Sequence, residues 1–140
     1  MKHRWLALGA LLASNAVLAA PCDDLEETVE INACLHREVA MAEDELDRYL
    51  EASRTRHADA SDAVVSMEAA HGAWLRYRDS HCFAVYDLWA DGSLRGAQLA
   101  TCLLELTQRR THDIWSVYLS TPDNRSGVLA EPPLPASASH

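Results

Sequence analysis

Two cysteines, Cys82 and Cys102, each stand ten residues from a single glycine, Gly92. If the chain is helical on both sides and reverses at that glycine, the two residues come level across an antiparallel hairpin. A disulfide needs Cα atoms within about 7 Å, and such a hairpin supplies that distance. The spacing therefore implies helix, turn at Asp91-Gly92-Ser93, helix, and a covalent staple between them.

The flanking sequence has the period this requires. Val64, Met67, His71, Trp74, Arg78, Cys82, Val85 and Leu88 or Trp89 recur at threes and fours and trace one stripe. Ser61 or Asp62 is a suitable N-cap, and Asp91-Gly92 a suitable end. Ser93 is expected to cap a third helix lined inside by Leu99, Cys102, Leu103, Leu106, Ile114, Val117 and Tyr118. Upstream, Ile31, Cys34, Leu35, Val39, Ala42, Leu46, Tyr49 and Leu50 form another stripe. Glu38, Glu43, Asp44, Glu45 and Asp47 lie between them, so this helix has an acidic outer face. Residues 54–60 lose the period and are expected to be a loop. No useful length alternates with period two, and residues 22–121 contain no proline to interrupt a helix. The expected fold is all-α, a small antiparallel three-helix bundle stapled by two disulfides.

The second staple leaves more room for choice. If Cys82 pairs with Cys102, Cys22 pairs with Cys34. Twelve residues of straight helix would hold those two about 18 Å apart, so the chain must fold back before the first helix, with Thr28 as a possible cap. The rival pairing is Cys34–Cys82. A first turn near Asp59 puts Cys34 level with about position 84, and height alone does not exclude it.

Both ends of the chain read simply. Residues 1–19 resemble a secretory signal: Lys2, His3 and Arg4, an apolar stretch, then small residues with Val17-Leu18-Ala19 as the cleavage pattern. Pro21 before Cys22 does not suit a lipoprotein signal. Export of the Gram-negative type, to the periplasm or beyond, is expected, with no membrane insertion after cleavage. An even number of cysteines in a small exported protein favours disulfides over metal, and neither C-x-x-C nor H-E-x-x-H occurs. No cofactor or metal is expected. Residues 20–119 form the domain, and residues 120–140, rich in Pro, Ala and Ser, read as a disordered tail.

The chain has 12 basic against 21 acidic side chains. Removing Lys2 and Arg4 with the signal leaves 10 against 21, a net charge of −11. A protein this acidic is repelled by nucleic acid and attracted to basic partners.

Several of these residues also form a pattern. Cys22 and Cys34 precede Glu45-Leu46-Asp47-Arg48-Tyr49. A run Ala70-His71-Gly72-Ala73-Trp74-Leu75-Arg76-Tyr77-Arg78-Asp79-Ser80-His81-Cys82 follows. Then come Gly92-Ser93, Cys102 and Leu106-Thr107-Gln108-Arg109-Arg110. This resembles the LprI-type lysozyme-inhibitor family of small exported bacterial proteins. His71 departs from it, since the family pattern has glutamine there. The resemblance implies a disulfide-stapled helical fold and, for some members, inhibition of lysozyme.

On that reading the partner is a basic peptidoglycan hydrolase or lysozyme, of a host or, for an immunity protein, of a rival bacterium. The alternative is a non-enzymatic envelope assembly module that uses its tail for attachment. Trp74, Tyr77, Arg78, Asp79 and Arg110 carry the motif, and a structural role is expected for them. Asp91, Gly92, Ser93 and Arg95 form the expected contact loop, with Ser93 and Arg95 suited to bond the carboxylates of a glycosidase cleft. The acidic face of the first helix can steer a basic partner. An enzyme is not expected. His71 and His81 lie ten residues apart along one helix, too far to share an acid–base site with Asp79.

Overall fold

The computed structural model describes residues 22–120 and 128–135. The expected signal segment, and residues 121–127 and 136–140 of the expected tail, lie outside the described residues. Three helices follow one another: α1 (Thr28–Arg56), α2 (Ser61–Leu88) and α3 (Arg95–Ile114). The chain is an all-α three-helix bundle with two disulfides, as the spacing implied. Cys82 bonds Cys102 with Cα atoms 5.6 Å apart, and Cys22 bonds Cys34 at 5.9 Å, so the rival pairing is excluded. The fold-back before α1 is a turn in which Leu25 N donates to Cys22 O at 3.4 Å.

Helix α3 is the middle of the bundle and packs against both α1 and α2. A helix covered on two sides must let both neighbours approach closely, which selects small side chains. Its buried residues are accordingly Ala97, Ala100, Thr107, Thr111 and Ile114 rather than a leucine stripe. Leu99, Cys102, Leu103 and Leu106 are half-buried on its flanks. The buried hydroxyls have partners, as burial requires. Thr111 Oγ1 donates to Thr107 O at 3.0 Å, and Ser53 Oγ donates to Tyr49 O at 2.8 Å.

The densest core lies at one end, where Leu46, Tyr49 and Leu50 of α1 meet Ile114, Trp115 and Leu119. Beyond Ile114 the helix widens into a π-helical turn, Trp115–Leu119, closed by Ser120 N donating to Trp115 O at 2.8 Å. The wider turn rotates the helical frame. Trp115 and Leu119 therefore face inward, and Val117, expected inside, is exposed.

Other expectations are corrected. None of the helices has a side-chain N-cap: the cap positions are Glu27, Ala60 and Leu94, so Thr28, Ser61, Asp62 and Ser93 do not cap. The first helix continues through Arg56, into the expected loop. Leu88 and Trp89, assigned to the inner stripe of α2, are exposed because they lie past its last half-buried residues, Val85 and Tyr86.

Residues 128–135 lie against the dense end of the bundle. Tyr49 Oη donates to Ala130 O at 2.7 Å, and Trp115 Nε1 donates to Leu129 O at 3.1 Å. Leu129 packs on the core and Pro132 is buried. This strap is held mainly through its backbone carbonyls, so its composition gave no sign of it.

Candidate functional site

The turn between α2 and α3 stands at the end of the bundle opposite the dense core. Its backbone is closed by successive bonds, among them Gly92 N to Trp89 O at 2.8 Å and Arg95 N to Gly92 O at 3.3 Å. Gly92 does not adopt a positive φ. Its role in the turn is therefore not to supply a left-handed backbone. A Cβ there would meet Trp89 O at 3.4 Å, an ordinary contact.

Arg95 is folded inward over the turn. Its guanidinium lies 3.8 Å from the centre of the Tyr86 ring, and its Nη1 donates to Ala90 O at 3.1 Å. It clamps the end of α2 to the start of α3 through a cation–π contact. Gly96 then allows α3 to approach Asn32 of α1, where a Cβ would come within 3.1 Å of the amide oxygen. Behind the clamp, the Cys82–Cys102 bridge joins the two helices, with Cys82 fully buried.

The groups left facing outward are Asp91 and Ser93, with three apolar side chains around them. Leu88 is 84% exposed, Trp89 43% and Leu94 41%. Sequence reading located the turn but missed this apolar rim. The available signal was an apolar run on either side of a tight turn, with no further helix to cover it. An apolar rim around a polar centre is a composition that suits a protein contact.

The motif residues occupy the body of the bundle. Arg78 is buried and joins all three helices. Its Nη1 donates to Glu43 Oε1 of α1 at 2.8 Å and to Thr107 Oγ1 of α3 at 3.2 Å, and its Nε donates to Asp79 Oδ1 at 3.0 Å. Trp74 is half-buried, with the guanidiniums of Arg78 and Arg110 at 5.3 and 5.7 Å from its ring. His71 stacks on the same ring at 5.6 Å. Tyr77 faces solvent and stacks on His81. Trp74, Arg78 and Arg110 are thus brought together, whereas Tyr77 is not part of that cluster. Among the described residues no group of His, Cys, Asp and Glu could hold a metal ion.

A family model described as lysozyme inhibitor LprI matches residues 20–114. The chain belongs to the LprI family. No match was found among curated proteins or among solved structures. LprI proteins are typically exported and are non-catalytic, so family membership gives this chain a lysozyme-inhibitor-like role in general terms and no catalytic one. The match spans both disulfides, the Trp74–Arg78–Arg110 cluster and the turn. Among the described residues no helix is long and apolar enough to cross a membrane.

His71 is expected to give this chain a pH dependence. Burial, and next the charge of Arg110, hold its pKa below the ordinary histidine value. The unfolded chain then takes up the proton first, so stability is lost as pH falls below about 6.5. Arg54 bonds Glu68, whose pKa is lowered chiefly by that bond. Its contribution is lost only at lower pH, near and below about 4. The two windows are separable. His71→Gln should flatten the fall in melting temperature that sets in below about pH 6.5, leaving the lower fall in place. An equally steep fall in the variant would exclude His71 as its source.

Proposed function

We propose that this LprI protein acts in the cell envelope by binding and inhibiting a lysozyme-like peptidoglycan hydrolase, and that the α2–α3 turn makes the contact. Family membership is the observation that carries the inhibitor reading. The turn is favoured by its exposed Leu88, Trp89 and Leu94 around Asp91 and Ser93, held in place by Arg95 and the nearby disulfide. A hydrolase cleft is concave and carries carboxylates. Trp89 and Leu94 supply apolar anchors for such a cleft, and Ser93 supplies a hydroxyl donor. Arg95 acts as the clamp that presents them. The acidic outer residues of α1, Asp44, Asp47 and Glu51, attract a basic enzyme from a distance. A host lysozyme and a rival's toxin fit this reading equally. The assembly-module alternative used the tail as its attachment segment, and residues 128–135 of that segment are engaged by the bundle itself.

The test is lysis of cell walls by a basic chicken-type lysozyme, with the oxidised mature protein added at low and moderate salt. Inhibition near equimolar ratio is expected, weakening as salt rises. Trp89→Ser and Leu94→Ser should each raise the amount required by roughly tenfold or more, without changing the melting temperature. Lysis unaffected by a large excess would exclude this class of lysozyme as the target. Inhibition retained in full by both variants would move the contact away from the turn.

A further inference from the structure

Helix α2 packs on α3 along one side, and among the described residues nothing covers its opposite side. That outer side is not the polar surface a solvated helix normally presents. Val65 is 67% exposed and Phe83 58%, and Ala69, Ala73 and Ala84 are exposed with them. Between Ala69 and Ala84 the outward charges are Arg76 and Asp79.

The centre of this face runs Val65, Ala69, Gly72, Arg76, Asp79, Phe83, at alternating steps of four and three residues. That is the repeat of a helix which packs lengthwise on another helix. Read in the reverse direction, the same stripe matches itself. In an antiparallel pair with its two-fold axis between Tyr77 and Arg78, Gly72 lies opposite Phe83 and Arg76 opposite Asp79. Each match then occurs twice. The bulkiest apolar side chain on the stripe meets the residue with no side chain, and the positive group meets the negative one.

The side-chain positions suit this pairing. Arg76 is exposed and has no carboxylate within ion-pair distance among the described residues; it lies back over Gly72, where a Cβ would meet its Nη1 at 3.8 Å. Asp79 is exposed and takes both contacts from Arg78 on Oδ1, at 3.0 Å each, which leaves Oδ2 for another donor.

We infer that the outer face of α2 is a homodimer interface, on which a second copy of this chain packs its own α2 antiparallel, with Phe83 of each copy seated over Gly72 of the other and Arg76 paired with Asp79 across the axis. The pairing is isologous and therefore closed, so it yields dimers and not filaments.

Sedimentation equilibrium of the oxidised mature protein tests this. Dimers are expected at micromolar concentration, dissociating more readily as salt rises. Phe83→Asp should weaken the dimer by roughly a hundredfold or more, as loss of a central apolar anchor does. Gly72→Leu is the decisive variant. A Cβ at that position makes only an ordinary contact, with the flexible end of Arg76 at 3.8 Å, and replacing glycine favours helix, so the melting temperature of the monomer should hold or rise. The new side chain fills the seat of Phe83, so dimers should be lost. Val117→Asp, at an exposed apolar residue away from α2, should leave the dimer intact. A wild-type protein that stays monomeric throughout, or a dimer indifferent to both Phe83→Asp and Gly72→Leu, would overturn the assignment.

Discussion

Replacing Cys82 and Cys102 together by alanine should lower the unfolding free energy by about 3 kcal/mol. The bridge closes a loop with a sequence separation of 20, and its main effect is to restrict the unfolded chain. It also has a local function. Helix α2 is an edge helix packed on α3, and the bridge joins the two between the turn and the dense core of Leu46, Leu50, Ile114 and Leu119. Without it, the turn would depend on the Arg95 clamp and its backbone bonds. Cys22–Cys34 has a separation of 12 and anchors only the segment before α1. Its loss should cost less than that of Cys82–Cys102. Urea unfolding of the two double variants gives the comparison. The Cys82/Cys102 variant should show the lower midpoint and a larger slope, because its unfolded state is more expanded. If the order is reversed, α2 is held by packing more than by the bridge.

The parts of this fold legible in the sequence were those set by period and spacing. The α1 stripe from Cys34 to Leu50 appears where apolar residues recur at threes and fours, because α1 buries one side only. The ten-residue symmetry about Gly92 gave the α2–α3 hairpin and its bridge. The period misled where its assumption of one buried side failed. Helix α3 is enclosed by two neighbours, so Thr107 and Ala100 are fully buried while its leucines lie on the flanks. At its end the π turn exchanges Val117 for Leu119. Arg78 fell on the right stripe, but a stripe gives no partner, and the bonds to Glu43 and Thr107 depend on how three helices meet. The candidate site was located by its turn residues. Leu88, Trp89 and Leu94 were missed because an apolar residue beside a stripe reads as more core until the end of the bundle is known.

Truncation after Ser120 should destabilise the bundle by about 2 kcal/mol, a fall in melting temperature of roughly 10 °C. The strap at residues 128–135 supplies carbonyl acceptors for Tyr49 and Trp115, each bond worth about 1 kcal/mol. Leu129 and Pro132 add about 2 kcal/mol of apolar burial over the dense core. Ordering the strap offsets part of this, and its three prolines, Pro132, Pro133 and Pro135, reduce that cost because their φ is already fixed. Glu131 adds a surface contact to His112 at 3.2 Å. Truncation after Pro135 keeps all of these groups and should leave the melting temperature unchanged. The emission of Trp115 should shift to longer wavelength only in the shorter protein, as its indole loses Leu129 O and gains water. Equal stability of the two truncations would mean that the strap does not hold in solution. The pair also separates fold from function in the lysis assay. Inhibition lost after Ser120 but kept after Pro135 means the strap is needed for a sound bundle, whereas loss in both assigns a role to residues 136–140.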